Sequence, residues 1–168
     1  MLLLIDGYNL LHSGRTLVHL NAIELQWERE RLVEKLAIYR QTRPFDILVV
    51  FDGWQGGWVT EKREKKKGID LIFSKAGEKA DEVIKRIVRE KGAGVTVITS
   101  DREISTYAER LSVPVIPSDQ FQEKLKRINF GAGKSVEDEE RTQGVKKKGP
   151  SRKLSKKEKR LRLALKRL

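Results

Sequence analysis

Residues 2–9 read LLLIDGYN, four aliphatic side chains in succession followed by an aspartate, a glycine, a tyrosine and an asparagine. A run with no polar alternation suits a strand buried on both faces, the kind found in parallel sheets covered by helices. Two further runs repeat the pattern, ILVVFDG at 47–53 and VTVITSD at 95–101, and each reaches an aspartate as its apolar stretch ends. Asp6, Asp52 and Asp101 therefore stand at the carboxyl ends of strands, where open α/β sheets form their ligand crevice. Asp81 opens a helical stripe made of Ala80, Val83, Ile84, Ile87 and Val88. Four carboxylates in one crevice repel one another unless a cation neutralises them or protons are shared. An all-oxygen donor set points to Mg2+ or Mn2+ as the cofactor.

Working outward, helices alternate with these strands. After Asp6 the sequence reads as a loop as far as Asn21, which has capping-box spacing with Glu24 ahead of a helix carrying Leu25, Leu32, Leu36 and Tyr39. Pro44 separates that helix from the second strand. The glycine-rich stretch 53–57, with Trp54 inside it and Trp58 after it, leads through the charged run EKREKKKG to a third strand at IDLIF. Gly92 ends the next helix. A helix with Ile104, Tyr107, Ala108 and Leu111 and a strand at VPVI follow the fourth strand. The expectation is an α/β fold, a doubly wound parallel sheet of about five strands with right-handed crossovers. The order 3-2-1-4-5 sets strands 1 and 4 side by side, with Asp6 next to Asp101. At about 100° per residue, Asp81 borders the apolar stripe and faces the crevice, while Glu82 faces water. Glu78, at the start of that helix, either swings inward or interacts with the positive helix end.

The formal charge of +12 is uneven: residues 131–168 hold 14 Lys and Arg against 5 Asp and Glu, which leaves only +3 for the rest. This divides the chain into a body, 1–130, and a linker and basic tail, 131–168, with Ser155 and Glu158 placed to cap a short last helix. Such a tail favours a polyanion, and without bulky aromatics it suits nucleic acid better than a membrane. The absence of cysteine excludes disulfides and thiolate zinc sites, two histidines make a zinc site improbable, and MLLLI is too short for a signal segment. The expectation is a cytoplasmic protein.

Taken together, DGYN (6–9), VVFDG (49–53), EKADE (78–82) and TSD (99–101) closely resemble the bacterial YacP-like NYN family, a branch of the PIN-like nucleases, over about residues 1–128. The resemblance implies a PIN-like fold, a divalent-metal site and endoribonuclease activity. Family members include a ribosome-associated mRNA-decay endonuclease, so mRNA, rRNA and the ribosome enter as implied partners. Position by position, Asp6, Asp52, Asp81 and Asp101 match the family's acidic site and Asn9 the asparagine of its first motif, with Glu78 a further member. The basic tail departs from the family core.

Each residue also has a plainer role. Asp52 in Asp-Gly suits a turn, Asp101 a helix N-cap and Asn9 a turn. Trp54 and Trp58, followed by Lys62, Arg63, Lys65, Lys66 and Lys67, read either as a stacking and phosphate-binding edge for single-stranded RNA or as loop packing beside a solvated charge run. Lys146, Lys147, Lys148, Arg152, Lys153, Lys156, Lys157 and Arg160 bind RNA electrostatically or merely solubilise. His12 and His19 pack or cap rather than catalyse. A phosphatase with a nucleophilic aspartate is disfavoured because Asp6-Gly7-Tyr8 lacks the Asp-x-Asp pattern, and neither a P-loop nor a G-x-G-x-x-G follows the first strand. The remaining alternative to an endoribonuclease is a non-catalytic PIN-like module that binds RNA or the ribosome.

Overall fold

The computed structural model describes residues 1–14, 20–43, 45–53, 58–131 and 155–167. Strands β1 (Leu2–Asp6), β2 (Asp46–Phe51), β4 (Ile69–Phe73), β5 (Val95–Ile98) and β6 (Val115–Ile116) run parallel, and β3 (Lys62–Lys66) lies antiparallel along β4. The sheet order is β3-β4-β2-β1-β5-β6. Without β3 this is the expected 3-2-1-4-5, and β1 pairs with β5 at the point where the winding reverses.

The sixth strand is the charged run itself. Lys-rich and solvent-facing, it carries no apolar alternation from which a strand could be read, yet it suits a sheet edge, where charge blocks pairing with another chain. Lys67 (φ 51°) and Gly68 (φ 80°) form the two-residue turn into β4, both in the left-handed region that such hairpin turns need.

Side chains alternate across the buried strands. Leu3, Ile5, Val49 and Phe51 face helices α1 (Gly7–Gly14), α2 (Ala22–Thr42) and α5 (Ser118–Gly131), while Leu4, Val50, Val95 and Val97 face α3 (Ala80–Lys91) and α4 (Arg102–Arg110). The capping box of Asn21 and Glu24 forms as spaced, Leu32, Leu36 and Tyr39 are buried, and Gly92 (φ 55°) caps α3. Leu111, read as part of an apolar stripe, instead caps α4 and is exposed.

The segment after Asp6 is a helix, α1, rather than a loop. Its Gly, Asn and Ser content resembles a turn, but Leu10 and Leu11 are buried in the core and the Asp6 carboxylate accepts the Asn9 N–H at its first turn. Gly7 is required there, since a Cβ would lie 2.3 Å from the Phe51 ring.

Helix α6 (Lys156–Arg167), capped by Ser155 and Glu158 as its spacing implied, lies against the body: Ala164 is buried in the core, Leu161 and Leu165 pack beside it, and Lys124 Nζ donates to the Leu165 carbonyl (2.8 Å). Leu161, Ala164 and Leu165 form a narrow apolar stripe on an otherwise basic helix. Docking predicts that Ala164→Asp, which buries an unpaired charge, costs about 2 kcal/mol or more and lowers Tm by several degrees; an unchanged Tm would put α6 off the body.

Candidate acidic site

The carboxyl ends of β1, β2 and β5 bring the first three aspartates to one end of the sheet, and α3 adds the fourth. Asp6 closes β1 opposite Val50 of β2; Asp52 follows β2; Asp101 follows β5 and caps α4. The Asp6 side chain is only 8% exposed. Its Oδ1 accepts the Asn9 N–H (3.2 Å) and its Oδ2 the Thr99 hydroxyl (3.1 Å). Burial still dominates these two donors, and the charges of Asp81 and Asp101 add to it, so the Asp6 carboxyl is pushed up to about 6. Asp81 is also raised, by burial first and by Asp101 next, with Lys85 opposing. Asp81 thus faces the crevice and Glu82 faces water, as helical geometry requires.

Thr99 ties the two central acids together: while its hydroxyl donates to Asp6, it accepts the Asp101 backbone N–H (3.0 Å). Asp101 Oδ1 takes the two cap hydrogen bonds from Glu103 and Ile104, which leaves Oδ2 outside the cap. Capping and site membership are therefore compatible roles for one residue. Asn9 Oδ1 accepts the Ser100 N–H (2.8 Å) and the Ser118 hydroxyl (2.7 Å), and Ser100 Oγ accepts the Ser118 N–H (3.0 Å). The asparagine thereby clamps the turn that carries Asp101. On the other flank, Gly53 donates to Ser74 Oγ (3.0 Å), which lies 3.5 Å from Asp52 Oδ1; a Cβ on Gly53 would meet the Ser74 carbonyl at 1.9 Å. Thr99, Ser100, Ser118 and Ser74 escaped the sequence reading because small hydroxyl residues at strand ends have no distinctive spacing, although Thr99 and Ser100 lie inside the quoted TSD.

Among the described residues no three acidic or histidine side chains sit close enough to hold a metal ion as they stand. Asp6 and Asp81 feel the charge of Asp101, and Asp6 that of Asp81, without sharing a common ligating distance, while Asp52 acts on Tyr8. Mg2+, which keeps several waters and takes only one or two direct carboxylates, matches such a donor set.

Glu78 is ion-paired, unlike Asp6, Asp81 and Asp101 among the described residues. Arg86 binds Glu78 (2.8 Å) and Glu61 together, a network that pins the start of β3 to α3. The basic run also divides. Lys62 pairs with Phe73 at the acidic end of the sheet and stands 4.3 Å from the Trp58 ring, whereas Lys66 pairs with Ile69 at the opposite end. Lys65, Lys66 and Lys67 thus trail away from the acids, because an antiparallel strand running back from the crevice carries its last residues to the far edge. Arg63, Lys65, Lys66 and Lys67 are paired with Glu61, Asp70, Glu64 and Glu34. Lys156 is exposed on α6, and Arg160 donates to Ser112 Oγ (3.3 Å). His12 is exposed. Trp54, His19, Lys146, Lys147, Lys148, Arg152 and Lys153 lie outside the described residues. No helix among those described is long and apolar enough to cross a membrane.

The YacP-like NYN domain model matches residues 3–165, helix α6 included. The Bacillus subtilis (strain 168) protein named Uncharacterized protein YacP is 32% identical over 88 residues, 52% of this chain and 51% of that protein, so the match spans about half the relative's length. The crystal structure of Rae1 (YacP) from Bacillus subtilis superposes with a TM-score of 0.63 over 79% of this chain and 78% of that one, at 23% identity. A mutant of that Bacillus subtilis protein, also solved as a crystal structure, gives a TM-score of 0.64 over 77% of each chain, again at 23% identity. These solved structures share the fold, and with the family match across nearly the whole sequence, the chain belongs to the YacP-like NYN domain family.

Proposed function

We propose that this protein is a divalent-metal-dependent endoribonuclease that hydrolyses RNA phosphodiester bonds, in ribosome-associated mRNA decay or in RNA processing. NYN domains are PIN-like and generally nucleases. One observation carries the finer reading: ion pairs among the described residues engage Glu61, Glu64, Glu78, Glu82 and Glu103, but none engages Asp6, Asp81 or Asp101. In a chain with 36 Lys and Arg, three clustered carboxylates without a contacting cation are costly to fold. A resident cation accounts for that cost.

In this reading Asp6 and Asp101 hold the principal ion, with Asp52 and Asp81 completing its surroundings directly or through water. When bound, Mg2+ or Mn2+ supplies an activated water and stabilisation of the charge on the phosphoryl oxygens. The protein's own part is orientation. Thr99 fixes the separation of Asp6 and Asp101, Asn9 and Ser118 hold the Ser100–Asp101 turn, and Gly53 and Ser74 fix the strand end from which Asp52 projects. Trp58 and Lys62 offer a stacking face and a cation at the acidic rim for single-stranded RNA. The basic segment 131–168 adds sequence-independent affinity for RNA.

End-labelled single-stranded and structured RNAs incubated with Mn2+, Mg2+ or EDTA test this directly. The expected result is internal cuts that need the metal and fall by roughly a hundredfold or more in Asp6→Asn and Asp101→Asn, the scale for losing one charge-stabilising group. Asn serves as an N-cap as well as Asp does, so the second variant keeps α4. RNA binding without any metal-dependent cut, on naked RNA or on translating ribosomes, would favour the non-catalytic RNA-binding module.

A stability measurement probes the same acids without turnover. The folded Asp6 carboxyl titrates at about 6 against 3.8 for its ordinary value, so folding favours its protonated form. Stability is therefore lost as pH rises from about 4 through 6, by on the order of 3 kcal/mol for this group. In EDTA at pH 7, Asp6→Asn should melt several degrees above the unsubstituted protein, with the gap closing near pH 4. Mn2+ should raise the Tm of the unsubstituted protein and leave the variant nearly unmoved; equal responses would remove Asp6 from the ion.

A further inference from the structure

Arg29, on the second turn of α2, is a cation in an unusual position. Its Nε is buried and has no hydrogen-bond partner, and among the described residues it makes no ion pair. What it touches is weak: Nη1 donates to the Tyr8 hydroxyl at a long 3.4 Å, and Cζ stands 5.7 Å from the centroid of the Phe73 ring, near the limit for a cation–π contact. A partly desolvated guanidinium that lacks an anion is expensive to keep. Most other basic side chains of α2 and β3 face water or carboxylates, as Arg31 does with Glu28 and Lys66 with Glu64.

Its place in the fold says what the missing anion is. Tyr8 lies two residues beyond Asp6, in the first turn of α1; Phe73 is the last residue of β4; and the Tyr8 ring packs edge-on at 5.2 Å against Phe51, the residue before Asp52. Arg29 therefore lies at the carboxyl ends of β1, β2 and β4 on the α2 side of the sheet, where the Tyr8 hydroxyl feels both its charge and that of Asp52. Tyr8, which accepts from Arg29, keeps its own proton to give. We infer that Arg29 and the Tyr8 hydroxyl form a phosphate seat that holds an RNA backbone phosphate beside the acidic floor. This rests on the endoribonuclease reading for its substrate class, and it adds the group that registers the strand against the acids. Guanidinium presents paired donors to phosphate oxygens, which an ammonium cannot match. The aromatic wall of Phe51 and Phe73 holds the seat rigid from below.

A residue kept for a ligand rather than for the fold separates binding from stability. Full-length Arg29→Gln, Arg29→Met and Arg29→Lys proteins, titrated in EDTA with a labelled single-stranded RNA over a range of salt, read binding without turnover; thermal melts read the fold. The seat predicts that Gln and Met bind about tenfold more weakly and lower the salt slope by about one phosphate contact, while melting no lower than the unsubstituted protein. Lys should restore the slope and only part of the affinity. Unchanged affinity and slope together with a lower Tm would overturn the seat and make Arg29 a packing residue. If neither the unsubstituted protein nor any variant cut RNA with Mn2+, the nuclease reading would fall, yet the predicted loss of binding would still uphold the seat.

Discussion

The Asp6 carboxylate, shut away from water where β1 ends, is the constraint around which the rest of the acidic end is built. It is the last residue of the central strand, the cap of α1, and the acceptor of a hydroxyl from the neighbouring strand's end. Two donors are too few to compensate a buried negative charge that also feels Asp81 and Asp101, which is why its carboxyl sits near 6 instead of in the ordinary carboxylate range. A sheet without ligand-binding duty would place an apolar or hydroxyl side chain here at less cost. The acid persists against the fold's own preference, and that opposition is what supports the proposed site role for Asp6.

Short polar links, not long ion pairs, hold this end together. Thr99 spans Asp6 and Asp101; Asn9 and Ser118 share the Ser100 turn; Ser74 receives Gly53. Thr99–Asp6, Asn9–Ser100 and Asn9–Ser118 join residues far apart in sequence but adjacent across the switch point, and Ser74–Gly53 joins the ends of β4 and β2, so side-chain positions are set by strands and helix starts with little freedom. The long flexible cations are used elsewhere, between surface elements: Lys85 to Glu82 and Glu103 ties α3 to α4, and Arg86 to Glu61 and Glu78 ties β3 to α3. That division explains why Glu78 reads as a site acid in sequence but serves as an anchor.

Strand positions and order were legible because buried parallel strands announce themselves as unbroken aliphatic runs, and because one reversal of winding fixes which ends meet. The side of the helix on which Asp81 lies followed from its distance to Ala80 and Ile84. What stayed hidden had the opposite character. β3 is a strand by position at an edge rather than by composition, and its antiparallel direction, which no local pattern reveals, takes Lys65 to Lys67 away from the crevice. α1 looks like a turn because its glycine and asparagine are demanded by close packing on Phe51 and by the Ser100 clamp. α6 looks like a solvated tail because only Leu161, Ala164 and Leu165 touch the core. Arg29 carries no signal at all, since one of two arginines inside ERERL is indistinguishable from a helix-surface charge until its neighbours Tyr8 and Phe73 are in place.

A net charge of +12 draws polyanions to the whole molecule, yet the crevice floor repels them. These two fields are contradictory for a passive RNA-binding surface, which gains by removing the acids and loses nothing. They are consistent for a site where an anionic chain is attracted from a distance, held at the edge by Arg29, which makes no ion pair among the described residues, and drawn onto the acids only when a cation covers the carboxylates. The cost of folding with Asp6 ionised and Arg29 unsatisfied is then the same cost counted at two places. In the proposed reading each charge is matched by an opposite one that arrives with the substrate or its cation, so binding would offset the cost at both places.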